Sequence, residues 1–185
     1  MEIRMLWKRD SYCHYVEKED FSPGERRFVR DFFVPDFRPW SPEDPFLYEL
    51  QILAGDDLIH SYFAMRKFSV GLDEKRLPRL FLNNKPYFFN GVLDQGYWPE
   101  SLYTPPSDEA MVFDIKSMKE LGFNMLRKHL KIEPLRWYYH CDRLGMVVWQ
   151  DMVNGGGKLH MPFLCYLPTV LPFVTNHVSD RLHWL

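Results

Sequence analysis

The chain has 185 residues, 46% of them apolar, and a formal charge of −2, enough to build a core but with no basic surface for nucleic acid or acidic lipid. No apolar run reaches the roughly 18 residues of a transmembrane helix, and residues 1–10 lack the apolar stretch of a signal peptide, so a soluble chain is expected. Cys13, Cys141 and Cys165 are odd in number and show neither a CxxC nor a Cys/His spacing, which indicates neither a disulfide framework nor a zinc site.

Residues 1–72 read as all-β. The stretch 26–34 is rich in aromatic and β-branched side chains, as strands are. In 46–70, Tyr48, Leu50 and Ile52 alternate with Leu47, Glu49 and Gln51, the period of a half-buried strand. Ala54, Gly55, Asp56 and Asp57 supply a turn, and 58–70 is expected to return as the second strand of a hairpin. Pro35, Pro39, Pro42 and Pro45 exclude helix before it. Short strands at this spacing suggest an immunoglobulin-like β-sandwich, which takes about 100 residues, so an incomplete one is expected here.

A charged linker at 73–76 then marks the change to a second portion, 73–185. Leu80, Phe81 and Leu82 read as a strand, Asn83 and Asn84 as a tight turn, and 87–89 with 91–93 as a strongly apolar strand. Ser107 can cap a helix whose first turn carries Asp108 and Glu109, with Met111, Ile115 and Met118 on one face and Gly122 after its end. Residues 123–127 form the next apolar strand. Pro134 stands where a first helical residue would be, Trp137, Cys141 and Leu144 repeat at helical spacing, and Gly145 closes that helix before a third strand at 146–149. Alternation of apolar strands with helices predicts a parallel sheet of right-handed βαβ units. Beyond Gly155, Gly156 and Gly157 the pattern is broken by Pro162, Pro168 and Pro172. The 73–185 portion holds three βα units and little more, whereas a closed (β/α)8 barrel takes about 250 residues. No GxGxxG or Lys-Ser/Thr phosphate loop is present, and no cofactor is expected.

In parallel α/β architectures the working side chains gather at the C-terminal ends of the strands. Here the first strand ends in Asp94 and Gln95, followed by Tyr97, Trp98 and Glu100. The second ends in Arg127, Lys128 and His129, and the third in Trp149, Gln150 and Asp151. Charged groups beside aromatic ones at three successive strand ends suit recognition of a hydroxyl-rich ring. Arg127 has structural work open to it as well, pairing with Asp94 or Asp151. The adjacent His140, Cys141 and Asp142 lie on a helix, where neighbouring side chains diverge, so they form no triad.

The run GVLDQGYWPESLYTPPSDEA, followed by IKSMKELGFNMLRKHLKIEPLRWYYHCDRLGMVVWQDM, resembles the start of the barrel in family 2 of the glycoside hydrolases. The upstream PWSPEDPFLYELQI and SYFAMRKFSV resemble the last strands of the immunoglobulin-like domain before that barrel. The resemblance implies a partial sandwich followed by the first three βα units of a (β/α)8 barrel. It also implies a retaining β-glycosidase acting through two glutamates about 5–5.5 Å apart. The sequence holds no Asn-Glu pair and its last glutamate is Glu133, so those catalytic residues are expected beyond Leu185. By position, Asp94, Arg127, His129 and Asp151 correspond to residues lining the family's sugar subsite, with Trp98 and Trp149 as candidate ring platforms. Where the β-galactosidase and β-glucuronidase branches carry Arg-x-Ser-His, this chain has Arg127-Lys128-His129, one residue shorter, so Arg127 corresponds more closely than His129. Trp149-Gln150-Asp151 is closer to the β-mannosidase style, which leaves galactoside, glucuronide and mannoside open. The expected partners are a β-linked glycoside and the remaining barrel segment. The rival readings are a non-catalytic carbohydrate-binding or assembly module, and a different barrel enzyme such as a metal-dependent hydrolase, which would want a His-x-His or carboxylate cluster that Gly91-Val92-Leu93-Asp94 lacks.

Overall fold

The computed structural model describes residues 33–151 and 153, together with the backbone of 2–9 and 12–20. Its first sheet is antiparallel, in the order β2-β1-β3-β4, from β1 (Glu2–Arg9), β2 (Tyr12–Asp20), β3 (Tyr48–Ala54) and β4 (Asp57–Phe63). The hairpin expected after Tyr48 is present, turning at Gly55 with φ +62°. Tyr48 and Leu50 are buried as the alternation requires, and Tyr48 stacks on Phe63.

The returning strand is shorter than the expected 58–70. It ends at Phe63, Met65 bridges to Pro39, and β5 (Phe68–Leu72) belongs to a different sheet with β6 (Pro78–Leu82) and β7 (Lys85–Pro86). Residues 73–76 are accordingly the turn between β5 and β6, and not an open linker. The Asp73 carboxylate draws that turn together by accepting from the backbone N–H of Lys75 and Leu77 and from Arg79. An aspartate at a turn start competes strongly for nearby N–H groups, so the charged run closes on itself. Residues 87–89 do not form a strand either. Tyr87 N–H donates to Leu80 and the Phe88 carbonyl accepts from the Asn124 amide, which diverts that backbone before the parallel sheet begins. Of the stretch 26–34, only Phe33 and Val34 are described, in irregular backbone; the rest, and the tail after Val153, lie outside the described residues.

The third sheet is parallel, in the order β10-β9-β8, from β8 (Gly91–Asp94), β9 (Met125–Lys128) and β10 (Val147–Gln150). Helix α1 (Asp108–Glu120) links β8 to β9, and α2 (Leu135–Leu144) links β9 to β10. Ser107 caps α1 by accepting from Ala110 N–H at 3.2 Å, and Gly122 follows its end at φ +88°. Pro134 sits one position earlier than expected, at the N-cap of α2 with extended ψ, and Gly145 ends that helix in the left-handed region. A side chain at Gly145 would collide with the Pro42 carbonyl, so the residue serves close approach as well as φ.

The two helices cover one face of the sheet. Met111, Ile115, Leu126, Trp137, Tyr138, Cys141, Met146 and Val148 form that core, with Val92, Trp98, Met118 and Leu144 at its edge. A second cluster, Trp40, Ala64 and Val147 with Leu47, Phe68, Phe89 and Met125, packs where β9 and β10 begin. Trp40 Nε1 donates to the Asp142 carbonyl, and Arg66 (2.7 Å) and Tyr62 (2.9 Å) both reach the Asp142 carboxylate. Lys119 ties Pro42 to the last carbonyls of α2 at Leu144 and Gly145. The antiparallel portion thereby covers the N-terminal ends of the parallel strands, and no described residue of it reaches their C-terminal ends.

Candidate functional site at the strand ends

Parallel register fixes which side chains share a face. Asp94, Lys128 and Gln150 are partners across β8, β9 and β10, as are Leu93, Arg127 and Trp149. Successive residues of a strand point to opposite faces, so these two rows lie back to back. The burial agrees: Val92, Leu126 and Val148, which alternate with the second row, belong to the helix-side core.

On the helix side the charges are consumed internally. Lys128, 1% exposed, places its ammonium 2.6 Å from Asp94, 2.9 Å from Glu133 and 4.3 Å from the Trp137 ring centroid. Lys131 lies 2.8 Å from the same Glu133 oxygen and donates to the Gly96 carbonyl at 2.7 Å. Asp94 also accepts from Gly96 N–H at 2.7 Å. Two ammonium groups thus face two carboxylates, and Asp114 stands close enough for burial and Asp94 to raise its pKa while Lys128 lowers it. Gln150, fully buried, accepts from Tyr138 and donates to the Lys131 and Asp151 carbonyls. Burial pushes the Tyr138 phenol up to about 12, which keeps it a donor to Gln150. Cys141 is fully buried; desolvation and the neighbouring Asp142 raise its thiol far above the usual range, so it is no nucleophile.

Among the described residues, nothing packs over the opposite face at the strand ends. Arg127 Nε donates to both Asp151 oxygens at 3.2 and 3.0 Å, with half of the arginine side chain exposed. His129 lies two residues beyond Arg127, its N–H bonded to the Asp94 carbonyl and its Nδ1 3.3 Å from the Gln95 amide. Trp149, beside Arg127 in register, is 37% exposed.

Of the four residues expected to ring one mouth, the structure therefore brings together Arg127, His129 and Asp151 and separates Asp94. Its carboxylate points to the helix side, where Lys128 holds it, because register with Lys128 and not with Arg127 decides its face. Trp98 is half-buried against the helix-side core, so of the two expected ring platforms only Trp149 stands on the open face. The Lys128, Lys131, Glu133 and Gly96 cluster escaped the sequence reading. Its one local signal was a lysine at the alternate position of an apolar strand.

No family model matches the chain. Among curated proteins, a β-galactosidase of Lactococcus lactis is 32% identical over 164 residues, 84% of this chain and 16% of that protein. Beta-galactosidase 2 of Enterobacter cloacae is 32% identical over 199 residues, 96% of this chain and 19% of that protein. Among solved structures, a β-glucuronidase of Bacteroides uniformis superimposes with a TM-score of 0.66 at 26% identity. A GH2 β-galacturonidase from Eisenbergiella tayi does so with 0.62 at 21%. Over this stretch the chain belongs to family 2 of the glycoside hydrolases. It spans less than a fifth of the length of the two β-galactosidases. The structural match covers 82% of the chain, more than either the antiparallel stretch 1–86 or the remainder 87–185 could supply alone, so the likeness runs across both. No helix of the described residues is long and apolar enough to cross a membrane.

Proposed function

We propose that the chain is part of a retaining β-glycosidase, in which the β1–β4 sheet belongs to an immunoglobulin-like sandwich and the parallel strands β8–β10 with their helices to a (β/α)8 barrel. Its contribution is one wall of the pocket that holds the sugar. The observation that carries this reading is the open face at the strand ends, where Arg127, Asp151, His129 and Trp149 stand together, away from the helix-side core. The Arg127–Asp151 pair offers a fork of donors and a fixed acceptor to vicinal hydroxyls. His129, oriented by Gln95, adds a further polar contact, and the Trp149 ring gives an apolar floor for the C–H face of the sugar. Asp94 enters indirectly, by holding Lys128 and the turn at Gly96. The sugar is a β-galactoside, β-glucuronide or β-mannoside.

Retention requires a protonated carboxyl and a nucleophilic carboxylate facing each other across the glycosidic bond, about 5–5.5 Å apart. Asp94 and Asp151 cannot serve, since they lie on opposite faces of the sheet and each is ion-paired. The acid/base and nucleophile are therefore assigned to barrel strands not included in these 185 residues. The purified chain is expected to hydrolyse nitrophenyl β-galactoside, β-glucuronide and β-mannoside no faster than buffer does. Turnover that disappears on Asp151→Asn would overturn that assignment. Nuclear magnetic resonance titration with the three methyl β-glycosides should shift Arg127, His129 and Trp149 signals with at least one sugar. Silence with all three would remove the sugar-binding reading.

A further inference from the structure

Helix α1 carries a second stripe besides the one that packs on the sheet. Met111, Ile115 and Met118 belong to the helix-side core. Glu109, Val112, Phe113 and Lys116 follow one another at i, i+3, i+4 and i+7, so they share a different face of the same helix. Phe113 is 70% exposed, a large apolar ring turned outward. Beside it a cleft of about 530 Å³ separates α1 from α2, lined by Glu109, Val112, Phe113 and Lys116 on one side and by His140 and Arg143 on the other. Arg143 is fixed there, donating from Nε to His140 Nδ1 at 2.9 Å.

The stripe is its own complement. Glu109 sits in the first turn, its carboxylate hydrogen-bonded to Ser107 and to its own backbone N–H, and Lys116 stands two turns later, about 10 Å along the axis. Among the described residues, neither of them enters an ion pair. Two copies of α1 laid antiparallel, about a two-fold axis midway between Val112 and Phe113, oppose Glu109 to Lys116 twice, because positions 109 and 116 are equally far from that midpoint. Each Phe113 then meets the other copy's Val112 at the cleft, beside Arg143, whose guanidinium is attracted to a ring face. A partner surface of one sign would leave either Glu109 or Lys116 facing a like charge. A second copy answers both.

We infer that this face of α1 is a contact between two copies of the chain, an antiparallel pairing centred on Val112 and Phe113 and bounded by two Glu109–Lys116 ion pairs. The inference stands apart from the sugar-binding reading, since α1 covers the face of the sheet opposite to Arg127 and Trp149. A pair of 13-residue helices covers less than the roughly 1,600 Å² of a standard interface, so the association is weak and reversible. Charge placement fixes its direction: parallel helices would set Glu109 against Glu109 and Lys116 against Lys116.

The test is sedimentation equilibrium of the full 185-residue chain. A monomer–dimer equilibrium is expected, half dimeric at a concentration on the order of 0.1 mM and weakened several-fold by about 0.5 M salt. Phe113→Ala should weaken it by about tenfold or more. Glu109→Lys and Lys116→Glu should each abolish self-association, by opposing like charges across the axis. An equimolar mixture of those two variants should dimerise about as tightly as the parent chain, since each mixed pair sets two cations of one copy against two carboxylates of the other. Retained nuclear magnetic resonance signals of Leu126 and Val148 report folding. Should Glu109→Lys lose them, Phe113→Ala and Lys116→Glu, both at exposed positions, carry the test. A chain still monomeric at about 1 mM would overturn the inference, whether its α1 stripe is then bare, bound to a different protein or in nuclear Overhauser contact with residues 154–185. A dimer untouched by Phe113→Ala would place the contact elsewhere and overturn it too. A mixture no tighter than either variant alone would overturn the antiparallel pairing, and the inference with it.

Discussion

The two faces of the parallel sheet carry similar residues and treat them oppositely. On the helix side, Asp94, Lys128 and Gln150 stand side by side with every charged group engaged inside the chain. On the open side, Arg127 and Asp151 also form an ion pair, but the arginine remains half-exposed beside an exposed tryptophan. An ion pair by itself therefore does not distinguish a structural group from a binding group. Desolvation does. Taking Lys128 out of water costs several kcal/mol, which only two carboxylates and the Trp137 ring can offset, so its interactions are fully committed to the fold. Arg127 keeps its hydration and with it the capacity to exchange water for ligand.

The largest expected effect breaks the helix-side network. Lys128→Met fits the same space but leaves Asp94 without its cation and Glu133 with Lys131 alone, at an expected cost of about 3–5 kcal/mol in urea unfolding. A loss no larger than the ~1 kcal/mol of a surface pair would put the two faces on an equal footing. Gly96→Ala probes the same cluster more gently. An added Cβ would collide with the Glu133 carboxylate and lie 2.7 Å from the Lys131 ammonium, in a backbone conformation that disfavours any side chain. A loss of about 1–3 kcal/mol is expected from thermal unfolding. An unchanged melting temperature would show that the turn relaxes freely. The smallest effect belongs to the open face. Arg127→Ala should change stability by less than about 1 kcal/mol, because the pair it breaks is half in water, while abolishing sugar-induced shifts at Trp149. Destabilisation as large as that of Lys128→Met would erase the contrast between the faces.

Local chemistry was sufficient for the elements that depend on it. Ser107 before Asp108 and Glu109 starts α1, Met111 and Ile115 give it a buried stripe, and Gly145 ends α2, all from interactions within a few residues. The alternation in 125–128 likewise separates Met125 and Arg127 from Leu126 and Lys128 in the sequence itself. The wording of the strand and helix segments together carried the likeness to family 2, since order and spacing are properties of the sequence. What the sequence left open was the phase between elements. Asp94 and Arg127 each close an apolar strand, and nothing local says whether they face each other or stand back to back; the register Asp94 to Lys128 settles it. The break at Phe63 and the closing of 73–76 into a turn depend on which strand pairs with which, and Trp98 on what the helices cover. These are decided by hydrogen bonds and burial between segments far apart in the chain, because a side chain's face has meaning only relative to the layer packed against it.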